Sequence, residues 1–249
     1  MKKLFTILLT IFASMNLQAQ INIYSHRHYE SDKILFKKFT DQTGIKINVI
    51  KGSADQLIER LVSEGNNSPA DILLTVDAGR LYRAKAAGIL QPVESKKMYE
   101  NVPSSMRDPD GYWFGLTVRA RVLVYSKERV KPSQLSTYED LATRKWRGKI
   151  AVRSSSNIYN QSLMASMIAA NGSRKALSWA KSVRKNMARA PRGSDRDQAR
   201  AVAAGLADVA IMNTYYLGIL ANSSDAKDRE VFKKVSVFFP NQEDRGTHI

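Results

Sequence analysis

The chain contains no cysteine and only three histidines. The first absence excludes a disulfide framework and any thiolate metal site, so a bound metal must take oxygen or nitrogen donors. The second leaves few groups for acid–base chemistry near neutral pH. Neither a G-x-S-x-G nucleophile elbow nor an H-E-x-x-H metal helix occurs, and a secreted hydrolase would need such machinery. Long apolar runs are also scarce. The one run, Leu4 to Met15, is shorter than the roughly 20 residues of a spanning helix. Low-complexity tracts and internal repeats are missing as well.

That apolar run has a different meaning. Lys2 and Lys3 precede it, and Leu17-Gln18-Ala19 closes it with a small residue. This is the pattern of a secretory signal peptide, cleaved after Ala19. Residues 1–19 are read as that signal, and the mature protein is expected to be periplasmic, with no stable membrane insertion. The net charge is +16; losing the signal removes two lysines and no acid, leaving +14. The basic residues are scattered over several predicted helices rather than gathered in one arm. That argues against nucleic acid as a partner, while the positive field would favour anions and ionised phenols.

Short β-like runs alternate with helical ones, which predicts an α/β protein. Ile21 to Tyr24 is a first strand, followed by a polar loop to Tyr29. Ser31 is placed to cap a helix whose apolar face is Ile34, Leu35, Phe36 and Phe39, with Gly44 ending it. Strands over 45–50 and 71–76 and helices over 56–64 and 78–87 complete a β-α-β-α-β-α opening, which implies a mostly parallel sheet. Residues 112–125 read as strand-rich. Strands over 149–153, 208–212 and 235–239 and helices over 160–170, 173–187 and 196–204 follow. The expected organisation is a first lobe over 20–118 and a second over 119–234. The chain would cross over near 119–126 and return to the first lobe over 235–249.

Ligands of open α/β sheets gather beyond the carboxyl ends of strands. Three such places carry tyrosine. His26, Arg27, His28 and Tyr29 follow the first strand. Tyr159 closes the Ser154–Asn157 loop after the 149–153 strand. Tyr215 and Tyr216 follow the 208–212 strand. A tyrosine pair after a strand is by itself more often packing than ligand. Jointly, these phenols suit a hard trivalent cation, because phenolate is a hard, charged oxygen donor. Free phenol has a pKa near 10 and is neutral at pH 7; a 3+ ion at bonding distance reverses that. His28 would add an imidazole nitrogen.

The segments Tyr24 to Tyr29, Ser154 to Asn160, Arg192-Gly193-Ser194-Asp195-Arg196-Asp197-Gln198 and Asn213 to Tyr216 resemble the periplasmic ferric-iron-binding proteins of ABC importers. These are the bacterial transferrin type, here its tyrosine-rich branch. The resemblance runs from Ile21 to Ile249. It implies a two-lobed type II solute-binding fold, here apparently lacking C-terminal helices. It implies Fe³⁺ held by His28, Tyr29, Tyr159, Tyr215 and Tyr216, with carbonate or water able to complete the coordination. Arg119 and Asp77 would stand behind these ligands. The implied partners are a permease and its ATPase, and the protein would be a monomer and not an enzyme. Read as residues alone, Arg119 and Arg121 are ordinary surface charges on a strand, and His26 is solvent-exposed. The same fold could instead carry an organic or anionic solute such as phosphonate, sulfate, thiamine or polyamine.

Overall fold

The computed structural model describes residues 19–27 and 29–249. The signal peptide, apart from Ala19, lies outside the described residues, and so does His28. The chain divides into two compact units between Gln91 and Pro92, earlier than the 118–119 boundary read from the sequence. The strand expected near the crossover, residues 121–126, is a central strand of the second unit.

The first unit is β1 (Gln20–Ser25), α1 (Glu30–Thr43), β2 (Lys46–Lys51), α2 (Ala54–Glu64), β3 (Ile72–Leu74) and α3 (Ala78–Ala86). Its sheet has the order β2-β1-β3, and every pair is parallel. Helical crossovers supply the length that parallel neighbours require. Gly44 ends α1 at φ 71°, where a side chain would be strained. Ser53 and Gln56 form a capping box that starts α2. α2 turns Leu57 and Leu61 onto Tyr24 to make a small core, with Ile50, Ala70, Leu73 and Ile89 around it. Two expectations about α1 need correction. Its N-cap is Tyr29, without a side-chain cap, rather than Ser31, and none of its described residues is buried. Ile34 is 68% and Leu35 62% exposed. α1 lies chiefly against β2, and its half-buried Phe36 is on the side that faces Val49 and Lys51.

The second unit contains α4 (Lys96–Asn101), β4 (Arg121–Ser126), β5 (Ile150–Ala151), α5 (Ile158–Asn171) and α6 (Ser173–Asn186). It continues with α7 (Asp195–Ala203), β6 (Val209–Asn213), α8 (Tyr215–Ala221), α9 (Ala226–Lys234) and β7 (Val235–Phe238). The sheet order is β5-β6-β4-β7, with β5 and β6 parallel and β4 antiparallel to both its neighbours. β7 is therefore an edge strand of this sheet. Of the strand-rich stretch expected over 112–125, only β4 is a strand; Phe114 makes an isolated bridge to Arg107.

Side chains alternate across this sheet, as the pleat demands. Leu123, Tyr125, Val209 and Ile211 face one core with Tyr138, Leu141, Trp146, Leu163, Met167 and Val183. Val122, Val124, Ala210 and Met212 face the other, with Ala199, Val202, Leu217 and Leu220. Helices α5 and α6 thus cover one face, and α7 and α8 the other. All six β4 residues are buried. Among the described residues, no helix is long and apolar enough to cross a membrane.

Candidate functional site

The site is built where β5 and β6 end. Beyond β5, Asn157 caps α5 by accepting a hydrogen bond from the Tyr159 N–H at 3.1 Å. This sets Tyr159 in the first turn of α5. Beyond β6, the Thr214 N–H donates to the Ala120 carbonyl at 3.0 Å, and the Thr214 hydroxyl accepts from the Ala120 N–H at 3.3 Å. The chain then turns straight into α8, whose first two residues are Tyr215 and Tyr216. The phenol oxygens of Tyr159 and Tyr215 lie 3.4 Å apart. The rings of Tyr215 and Tyr216 are 4.2 Å apart between centroids and tilted by 35°. Three tyrosines from two separate segments therefore meet at one corner of the second unit.

Arginines surround them. The Arg119 guanidinium lies 4.5 Å from the centre of the Tyr159 ring, with Arg153 at 5.8 Å and Arg121 at 5.9 Å. Behind the tyrosines stands a buried ion pair. Arg121, 2% exposed, donates through Nη1 to Asp195, which is fully buried. The same nitrogen donates to Asn213 Oδ1 at 3.1 Å, and Nη2 donates to Asn160 Oδ1 at 2.6 Å. Asp195 also accepts from the Asn213 N–H at 2.9 Å, and Arg153 lies 3.5 Å from its second oxygen.

Burial sets the chemistry of the phenols. It pushes Tyr215 far above the ordinary phenol range; hydrogen bonds to Tyr159 and Tyr216, and the like charge each would carry, push the same way. Tyr216 is also raised, again chiefly by burial, although a hydrogen bond from Tyr215 opposes this. Metal-free, the pair is protonated. A trivalent cation would have to displace those protons, and the three arginines would then offset part of the phenolate charge. Among the described residues no group of three or more His, Cys, Asp or Glu is placed to hold a metal. The convergent hard donors are the phenols.

The residues singled out in the sequence fall into distinct places. Tyr159, Tyr215 and Tyr216 come together, with Arg119 over the first. Tyr29 belongs to the first unit, where it is half-buried at the N-cap of α1. Arg27 lies 5.1 Å from its ring centre and is paired with Asp32. With Ser25, Asp32, Phe36 and Lys51, Tyr29 lines a cavity of about 200 Å³. Asp77 is buried and caps α3, accepting from the Gly79 N–H at 3.0 Å from a backbone at φ 78°. His26 is half-buried rather than exposed, its Nδ1 3.3 Å from the Gly52 carbonyl. Arg121 corrects the reading of a surface charge: the strand carries it inward, where Asp195, Asn213 and Asn160 accept from its two terminal nitrogens. The sequence signal for that network was the Arg192–Gln198 stretch, which the motif reading noted without assigning it a task.

This fold is that of a bacterial solute-binding protein. Residues 67–242 match the bacterial extracellular solute-binding protein family, and the chain belongs to it. Among known proteins it is 55% identical over 232 residues to iron uptake protein A1 of Synechocystis, covering 93% of this chain. The chain spans 64% of that relative's length. Among solved structures it is similar to a Trichodesmium protein in complex with iron and citrate, at TM-score 0.90 and 55% identity. That match covers 92% of this chain and 72% of the other. A ferric-binding protein from Campylobacter jejuni matches at TM-score 0.86 and 48% identity, with the same shares covered. The resemblance read from the tyrosine and arginine motifs is thereby borne out, and so is the two-lobed α/β fold class.

Proposed function

We propose that this chain binds ferric iron in the periplasm and delivers it to an ABC permease driven by a cytoplasmic ATPase. Tyr159, Tyr215 and Tyr216 are three of its ligands. Tyr29 and His28 of the first unit supply the other two, and carbonate or water could complete the coordination. The signal peptide exports the chain, which acts as a monomer. The observation that carries the reading is the 3.4 Å approach of the Tyr159 and Tyr215 hydroxyls, with Tyr216 stacked beside them and arginines around. Iron is the cargo. Its charge supplies the force that removes phenolic protons, so binding is linked to pH and weakens as protons return. Reduction to Fe²⁺ would also loosen the site, because phenolate holds the lower charge less well.

The test is an absorbance titration of the mature chain with ferric citrate. Phenolate-to-Fe³⁺ charge transfer gives a visible band. The Tyr215→Phe variant is expected to lose most of that band and to bind iron more than about 100-fold less tightly, beyond the usual cost of removing an outer-shell partner. Wild-type colour and affinity in that variant would overturn the ligand set. The arginine trio around Tyr159 favours a second reading, an organic anion as the solute. A chain that stays colourless with ferric citrate but binds such an anion by calorimetry would select it.

A further inference from the structure

The Arg192–Gln198 stretch has no part in the ligand set, yet it is folded with unusual care. Gly193 sits at φ 74°, where a side chain is strained, and an added Cβ would meet Asp197 at 2.8–2.9 Å. The Ser194 N–H and hydroxyl both donate to Asp197 Oδ2, at 2.7 and 2.8 Å. Gln198 Nε2 donates back to the Arg192 and Ser194 carbonyls at 2.6 and 2.8 Å. The loop is thus tied to the helix it opens. What it delivers is Asp195, the first residue of α7, into the interior.

We infer that the Arg121–Asp195 pair is the positioning device of the tyrosine corner, so that the Arg192–Gln198 loop sets iron affinity without touching iron. This rests on the iron reading given above. The geometry runs outward from one guanidinium. Arg121 holds Asn160, the neighbour of Tyr159, through Nη2, and it holds Asn213, two residues before Tyr215, through Nη1. Asp195 fixes Asn213 a second time through its backbone N–H. Asn160 in turn donates to the Arg153 and Ser154 carbonyls at 2.9 and 3.2 Å, which anchors the loop leading to Tyr159. Both tyrosine-bearing segments therefore hang on one planar fork. A lysine ammonium could not reproduce that fork, because it lacks the fixed angles between donors.

The experiment compares Arg121→Lys and Asn160→Ala with Arg129→Gln, which breaks the unit's Arg129–Asp208 pair. In the metal-free chain, ring-¹³C-tyrosine NMR reports the corner directly. The resonances of Tyr159 and Tyr215 are expected to shift or split in the first two variants and to stay put in the third. In the iron-loaded chain, the charge-transfer maximum is expected to move and the affinity to fall about 10- to 100-fold in the first two only. A purely structural pair would lower the melting temperature and leave band and resonances alone; that outcome overturns the inference. If Arg121→Lys does not fold, Asn160→Ala, which leaves the ion pair intact, decides alone. Failure of the wild-type chain to develop a band defeats the iron reading instead, and the metal-free spectra still judge the positioning role.

Discussion

The two units are built to different standards. The second has a mixed sheet with a packed core on each face and a wholly buried central strand. The first has three parallel strands and a core centred on Tyr24, Leu57 and Leu61. A packed interior holds side chains in single rotamers, and a thin one does not. The three phenols that meet, those of Tyr159, Tyr215 and Tyr216, stand on the well-packed unit. The difference places the tyrosine corner on the more constrained of the two scaffolds.

The comparison is tested most severely by cavity formation. Leu141 is completely buried in the larger core and Leu57 almost so in the smaller. Leu141→Ala is expected to cost about 3–5 kcal/mol and Leu57→Ala about 2 kcal/mol, because a thin core relaxes around a void more easily. Urea unfolding followed by a probe in each unit measures both. Equal costs would break the contrast.

Hydrogen exchange sharpens it without mutation. Amides of 122–125 and 209–212 should exchange at least about 100-fold more slowly than those of 21–24 and 47–50, since locally opening units are those with few buried apolar contacts. Indistinguishable protection would mean that the units unfold as one.

The same contrast governs what could be read from sequence. Where apolar periodicity coincided with a core, the reading held, as in α2, β6 and the strand ends that carry tyrosine. Where it met no core, it misled: the α1 face looked amphipathic, but Ile34 and Leu35 are left exposed. α9 escaped notice because Ala226 to Lys234 has almost no apolar repeat and is held by Asp225 capping and the Arg200–Asp228 pair. α8 begins immediately at the end of β6 with an apolar run, so its tyrosines read as a strand exit. Arg121 was misread for a plainer reason. Its burial depends on Asp195, distant in sequence, and no local pattern announces a buried guanidinium.

A pH series probes the seam between the second unit's core and its last residues. Burial pushes the Glu139 carboxyl up, but hydrogen bonds from Asn241, Arg245 and Asn171 outweigh it and hold it down at about 2, against an ordinary 4.5. The ionised form is thus the one the fold prefers. Its contribution is full above pH 4.5 and is lost as pH falls from 4.5 through about 2. The urea midpoint of wild type should therefore drop across that window by more than that of Glu139→Gln. Parallel pH curves would show that Glu139 does not tie the 241–245 segment to the core.

The smallest expected effect lies on the first unit's exposed helix. Leu35 is 62% exposed and belongs to a helix with no buried residue among those described. Leucine and lysine have nearly equal helix propensity, so Leu35→Lys changes neither the backbone nor a packed contact. Its cost should stay within about 0.5 kcal/mol, the usual range for surface substitutions. Solubility should rise, because an apolar side chain next to exposed Ile34 is replaced by a charge. The result is informative because of its size. A loss of 2 kcal/mol or more, the cost expected of a buried leucine, would mean that this face is covered in solution. The first unit's core would then extend to α1, and its difference from the second unit would shrink accordingly.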